Sequence, residues 1–368
     1  MVRATLAVIA ALLSVAACSS ASGGTASPDA RPATAVSQWS VGSGQFVSVR
    51  YDKKGAPFIA LSDVSTGALV RDLLPATAAN GMRVNGLALD RSGDLWITYS
   101  KGPVYRGNTA GGDPEPGSCA NRVDVVHAGT GRVTVALRTE DDVLIRGAQP
   151  SPDGREIVYR ESPCTGYEQA YLRVRNLLSE RQWSIGQGLP DCHLLDSAAW
   201  SENGKTLLAD YDPASKPFSY GVDPGPCSQW WAGRLVRVNA STAQPGLAGS
   251  TVLADPNCQI DAVAGLADGA ALAVEGCGGG PEFITGPVKL LVIDASGRID
   301  RRLSLGACVD GAGIATNQAG TAALISAYLT CDPSGHTTKL WDYGNGTLRP
   351  VFSTPGDGTA VTLLAWQG

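Results

Sequence analysis

Residues 151 to 159 read SPDGREIVY, a tight Gly turn that opens straight into a β-rich run. Versions of this stretch return about every fifty residues: LDRSGDLWITYS from Leu89, WSENGKTLLADYD from Trp200, GLADGAALAVEG from Gly265 and TNQAGTAALISAYL from Thr316. Each places a strand of small residues before the Gly turn and a strand rich in β-formers after it. A fixed period of this length, with strands on both sides of every turn, is the pattern of a β-propeller in which one repeat makes one four-stranded blade.

Working outward from these turns, the strand preceding each is the innermost, strand A. It is expected at Leu87–Asp90, Arg146–Gln149, Ser197–Trp200, Asp261–Leu266 and Gly313–Thr316. Three further runs per repeat supply strands B, C and D, which predicts an all-β, six-bladed propeller of antiparallel four-stranded blades. The first blade has its B, C and D strands at Phe46–Tyr51, Phe58–Leu61 and Leu69–Leu74 but no strand A before them. Thr359–Trp366, TAVTLLAW, matches the missing strand, so the ring is expected to close with strands from both termini and leave no open sheet edge.

Pro150-Ser151-Pro152-Asp153-Gly154 and its cousins resemble the TolB-like, WD40-like propeller repeat of exported bacterial proteins. The resemblance covers nearly all of Gln45–Gln367 and its motif is structural: it implies the fold and an expectation of protein recognition. The Gly-His and Trp-Asp hallmarks of WD40 repeats do not recur.

The N-terminus points to a compartment. Arg3 is followed by the short apolar run Ala4–Leu13 and by Val15-Ala16-Ala17-Cys18. A run this short reads as a signal peptide and not a membrane span. Its ending resembles the bacterial lipobox, which implies lipidation and cleavage at Cys18. Residues 1–18 are thus expected to be a lipoprotein signal, 19–37 a Ser/Ala/Gly/Thr/Pro tether too poor in apolar residues to fold, and 38–368 the propeller. The chain is then extracytoplasmic, held to the cell membrane by lipid. A formal net charge of −5 without basic runs argues against nucleic acid as a partner.

Setting Cys18 aside leaves eight of the nine cysteines, an even number in an exported chain, and therefore a disulfide framework. In a propeller the D-to-A connections and the B-to-C loops emerge on one face. Cys192, Cys258 and Cys308 precede strand A of blades 4, 5 and 6, and Cys227, Cys277 and Cys331 lie in the B-to-C loops of the same blades. This predicts Cys192–Cys227, Cys258–Cys277 and Cys308–Cys331, with Cys119–Cys164 joining the loops of blades 2 and 3. Pairing each loop with the next connection instead would strand Cys119 with Cys331 across blade 1. The cysteine-braced face, with its long loops, is the expected functional face.

Two groups of residues there could carry function. Aligned on the Gly turns, Asn85, Arg146, Asp196, Asp261 and Thr362, with Asp310 nearby, gather at the channel mouth, where Asn85, Asp196, Asp261 and Asp310 could hold a hard cation such as Ca²⁺ and Arg146 is a candidate ligand-binding residue. Asn85-Gly86-Leu87-Ala88-Leu89-Asp90 is similar to the metal-binding segment of gluconolactonase and regucalcin-type six-bladed hydrolases. That similarity implies Asn85 as a metal ligand and an acidic residue elsewhere in the ring as the base. The family's N-terminal Glu ligand has no counterpart before Phe46, and Arg146 would repel a cation. In blade 4, Phe218, Tyr220, Trp230 and Trp231 cluster in PFSYGVDPGPCSQWW, either as a peptide- or sugar-binding patch or as the loop's own small core. No nucleophile elbow, Cys-x-x-Cys or His-Glu-x-x-His occurs. The expectation is a recognition scaffold without enzymatic activity or cofactor that binds an envelope protein or extracellular ligand. The alternative is a metal-dependent lactonase-like hydrolase at the channel mouth.

Overall fold

Strands such as ALAVEG, Ala271–Gly276, bury every one of their residues. A sheet with two apolar faces must be covered on both, and stacking sheets radially does this without a second layer of helices. The computed structural model shows that arrangement. It describes residues 39–78, 81–102, 119–139, 143–164, 170–186, 194–212, 234–240, 251–254, 258–276, 287–307, 309–329, 337–355 and 364–368.

The described strands form six four-stranded antiparallel sheets. Blade 1 contains β1 (Gln45–Tyr51), β2 (Pro57–Asp63) and β3 (Leu69–Pro75), and blade 2 contains β4 (Arg83–Leu89), β5 (Leu95–Lys101), β6 (Ala120–Val126) and β7 (Val133–Thr139). Blade 3 contains β8 (Val143–Pro150), β9 (Glu156–Pro163), β10 (Tyr171–Asn176) and β11 (Gln182–Ile185). Blade 4 contains β12 (Leu194–Trp200), β13 (Thr206–Asp212), β14 (Arg234–Asn239) and β15 (Thr251–Ala254). Blade 5 contains β16 (Gln259–Gly265), β17 (Ala271–Gly276), β18 (Pro287–Ile293) and β19 (Ile299–Ala307). Blade 6 contains β20 (Val309–Thr316), β21 (Ala322–Leu329), β22 (Thr337–Gly344) and β23 (Thr347–Pro355). The last strand, β24 (Leu364–Trp366), pairs antiparallel with β1, Phe46 opposite Trp366, and supplies strand A of blade 1. Inner strands of successive blades touch all the way round, with β24 lying between β20 and β4, so the ring is closed.

The core is divided among the blade interfaces. One cluster packs blade 1 on blade 2 through Ile59, Leu61, Leu95 and Ile97, while the neighbouring Trp96 turns the other way into a second cluster with Val123, Ile145 and Ile157 of blades 2 and 3. Four more clusters fill the remaining interfaces, the last joining Phe46 and Leu364 to Leu324 and Leu340. Large apolar side chains with essentially no exposure supply the main stabilisation, at roughly 25 cal/mol per Å² of apolar surface buried.

The A-to-B turns are built by side-chain acceptors. Asp90 Oδ1 accepts from the backbone N–H of Ser92 and Asp94, and Asn317 Oδ1 accepts from Thr321 and Ala322. Gly93, Gly154, Gly204, Gly269 and Gly320 all take positive φ, between 65° and 82°, which is why Gly recurs there. These turns and the C-to-D turns share one face. The chain joins the propeller on that face: Trp39 is fully buried, donates its indole N–H to Gly93 O at 3.2 Å and accepts from Gly129 N at 2.7 Å.

Strand A differs from its sequence expectation in one consistent way. It starts three or four residues earlier in blades 2, 3, 4 and 6 and two earlier in blade 5, and each of these inner strands carries a register shift: at Val84/Gly86, Arg146/Gln149, Leu195/Ala198, Ile260/Ala262 and Val309/Ala312. A bulge breaks the two-residue alternation, so sequence periodicity stops at it although the strand continues. Of the expected Thr359–Trp366 strand, residues 359–363 lie outside the described residues.

Candidate functional site

The bulges are what place the mouth residues. Asn85 and Asp261 sit within the register shifts of β4 and β16, and the backbone positions of Asp196 and Asp310 fall within those of β12 and β20. Arg146 ends the regular pairing of β8 just before its own shift. The sequence alignment thus brings Asn85, Asp196, Asp261 and Asp310 to one level of strand A, with Arg146 one position before it.

At this end of the channel, strands A and B surround a cavity of about 240 Å³ whose polar lining includes Asn85, Arg146, Arg160, Ser197 and Asp261. A second cavity of about 150 Å³ lies toward the short-turn face. Leu87, Gln149, Val263, Ile314 and Leu364 line both, so a largely apolar waist separates the two chambers. The short-turn end is tied across the channel: Arg91 of blade 2 donates to Glu202 O of blade 4 at 2.6 Å, and Gln318 of blade 6 donates to Arg91 O.

Asn85 has a fixed orientation. Its Nδ2 donates to Ser100 Oγ at 2.5 Å and to Ile145 O at 2.9 Å, while Oδ1 is shielded from solvent and accepts no hydrogen bond among the described residues. Ser197 Oγ is likewise buried without a partner among the described residues. Thr98 Oγ1 and Asn121 Oδ1 accept from the N–H groups of Ala148 and Ile145, so β8 is held by side chains of blade 2 where its bulge interrupts the ladder. Neighbouring inner strands approach closely here: a Cβ on Gly86 would lie 2.7 Å from Gly147 Cα, and Gly147 itself has φ of 59°.

Arg146 is exposed and directly opposite Arg160 in the β8–β9 register, which puts both guanidinium groups on one face of blade 3. Tyr159 also borders the mouth cavity, and burial, assisted by the Glu161 charge, pushes its hydroxyl up to about 12. The rim beside it is cross-braced. Glu161 accepts from Tyr171 Oη at 2.6 Å and Arg173 Nη2 at 2.7 Å, and Arg173 also donates to Ser184 Oγ at 2.5 Å.

The disulfide framework is present where it can be followed. Cys119 and Cys164 are bonded to each other, both buried, and join the B-to-C loops of blades 2 and 3. Cys258 is disulfide-bonded just before β16. Cys192, Cys227, Cys277, Cys308 and Cys331 lie outside the described residues, as do Cys18 and the aromatic group Phe218, Tyr220, Trp230 and Trp231. The side chains of Asp196 and Asp310 are also outside them, and among the described residues no three His, Cys, Asp or Glu side chains cluster as metal ligands.

Sequence reasoning missed Arg160 and Ser197. Arg160 becomes visible only through strand register, as the residue facing Arg146. It also missed that His127 is bracketed by Asp94 Oδ2 at 2.7 Å and Thr134 Oγ1 at 2.8 Å. These three groups tie two turns of blade 2 together on the short-turn face, away from both cavities.

No family model and no curated protein matches the chain. Among solved structures it is similar to TolB from Acinetobacter baumannii, with a TM-score of 0.56 and 12% identity over 88% of this chain and 66% of that one. It is also similar to the tricorn protease, with a TM-score of 0.50 and 13% identity over 86% of this chain and 30% of that one. A likeness to an oligogalacturonate lyase in complex with manganese has a TM-score of 0.45 and 13% identity over 86% and 75%. The chain thus spans about two thirds of the TolB chain and under a third of the protease, and at these identities the likeness is one of fold. Closed ring, six four-stranded blades and terminal strand exchange make this chain a six-bladed β-propeller, similar in fold to TolB.

Proposed function

We propose that this protein is an extracytoplasmic, lipid-anchored recognition scaffold whose disulfide-braced face captures an envelope protein or extracellular ligand, without chemistry of its own. The observation that carries the reading is the Cys119–Cys164 bridge, which ties the end of β9 in blade 3 to the residue before β6 in blade 2, where the B-to-C loops of adjacent blades meet the ring. A cross-link at the base of two recognition loops lowers the entropy cost of binding. Attachment of the chain at Trp39, on the short-turn face, is compatible with a tether that leaves the braced face available.

Site-specific photo-crosslinking in cells tests this. A photoreactive residue at Lys101, at the braced end of β5, should give discrete adducts, and one at Leu178, a C-to-D turn residue 80% exposed on the other face, should give none. The reverse pattern would remove the reading. Lipid incorporation that is lost in Cys18→Ser would support the anchor.

A second reading, the metal-dependent lactonase-like hydrolase, is favoured by Asn85 Oδ1, an oriented acceptor with no donor among the described residues. A cation held only by the folded state raises the melting temperature by mass action. If chelator lowers the melting temperature and Ca²⁺ restores it, this reading gains and lactone substrates should be screened. If neither moves it, the reading fails.

A further inference from the structure

We propose that the mouth cavity binds an α-amino-carboxylate, a carboxylate with a nitrogen donor on the adjacent carbon, whose carboxylate meets Arg146 and whose nitrogen donates to Asn85 Oδ1. This rests on the recognition reading above and names the chemistry of what is recognised.

The positive side comes from strand register. Arg146 and Arg160 are directly opposite on β8 and β9, and like charges in such a pair repel unless an anion lies between or beside them. Arg160 is half-buried and also engaged within the fold, whereas Arg146 is exposed, lines the cavity and has no ion-pair or hydrogen-bond partner among the described residues. A guanidinium presents a planar fork that matches a carboxylate with two parallel hydrogen bonds.

The need for a donor comes from blade 2. Because both Nδ2 hydrogens of Asn85 are committed to Ser100 and Ile145, its amide cannot flip, and the group left over on this cavity-lining residue is an acceptor. Ser197, on blade 4, lines the same cavity, and its Oγ is a further buried polar atom with no partner among the described residues. Buried polar groups without partners are rare, and a ligand N–H would satisfy the Asn85 oxygen.

The lining also carries Asp261, which penalises doubly charged anions such as phosphate and favours a singly charged carboxylate that brings its own donor. At about 240 Å³ and floored by the apolar waist, the chamber accommodates a terminal residue, not a folded surface. Two sources present this chemistry: a free amino acid, and the C-terminal residue of a peptide, whose carboxylate is a recurrent recognition handle.

Calorimetric titration of the full chain with N-acetyl-Ala-Ala, its C-terminal amide and free L-alanine tests the proposal. Binding of the peptide acid, with the amide at least tenfold weaker and Arg146→Ala reducing affinity at least tenfold, supports it with a peptide C-terminus as the source. Binding of alanine in place of the peptide, with the same Arg146 dependence, supports it with a free amino acid as the source. Equal binding of acid and amide, titrations unchanged by Arg146→Ala, or no binding of either acid at about 10 mM would overturn it. Arg146→Lys should retain the charge but lose several-fold in affinity, a difference that simple misfolding would not produce. If the titrations fail while adducts at Lys101 persist, the scaffold reading stands and only the ligand chemistry falls.

Discussion

Tyr171 and Tyr159 belong to a buried polar strip of blade 3, and desolvation is the first cause of their shift. It raises both hydroxyls to about 12, with Glu161 adding to it in each case. A phenol whose folded pKa lies above its unfolded value of about 10 contributes stability that is fully present below pH 10 and lost as the pH rises through about 12. Alkaline unfolding followed by phenolate absorbance should therefore show part of the tyrosine titration coinciding with loss of β-structure. Tyr171→Phe should weaken that coincidence and, by removing the bond to Glu161, cost about 1 to 2 kcal/mol in denaturant unfolding. Gly86→Ala probes packing at the mouth. The added Cβ meets Gly147 Cα at 2.7 Å and Thr98 Oγ1 at 2.9 Å, so two inner strands must separate, at a cost of about 1 to 3 kcal/mol by thermal or chemical melting.

Closure is the property of an element, β24. Its three described residues pair with Phe46, Val47 and Ser48, and without them β1 would present an open edge next to the channel. A chain ending at residue 355 should lose cooperative unfolding and associate, as followed by circular dichroism and size-exclusion chromatography. A synthetic peptide of residues 359–368 added in trans should restore a monomer, because the missing ladder and the Leu364 contact with blade 6 are both intermolecularly available. An unaffected truncated chain would show that the ring does not depend on strand exchange. Turns and strand faces at this scale were legible in advance, since Asp, Asn and Gly at fixed offsets build the turns by local hydrogen bonding. The outer ends of strand A were not, because a bulge interrupts the alternation that marks a strand.

For the whole molecule, the bridge between blades 2 and 3 spans 45 residues of sequence, and closing a loop of that length in the unfolded chain corresponds to about 4 kcal/mol in the chain-entropy model. Replacing Cys119 and Cys164 together by Ser should lower stability by up to about that amount while leaving the ring assembled, because the interface between those blades is packed independently by Trp96, Val123, Ile145 and Ile157. Loss of braced-face crosslinks in this variant, with the β-structure intact by circular dichroism, would show that the bridge orders the recognition loops in addition to stabilising the domain.

The repeat, the blade number and the exchange of a terminal strand were determined by sequence alone, since each follows from periodicity, turn chemistry or position in a repeating unit, whereas between the two cysteine schemes it was the structure that showed Cys119–Cys164. The alignment also brought Asn85, Arg146 and Asp261 to the mouth. Only the tertiary structure decided what those residues can do there. Arg160 faces Arg146 through cross-strand register, Asn85 is turned so that its oxygen is left over through contacts with Ser100 and with a carbonyl 60 residues away, and the waist is assembled from several blades. Such pairings between distant residues leave no local periodic trace, because they depend on how strands align and rings close rather than on what any one segment prefers.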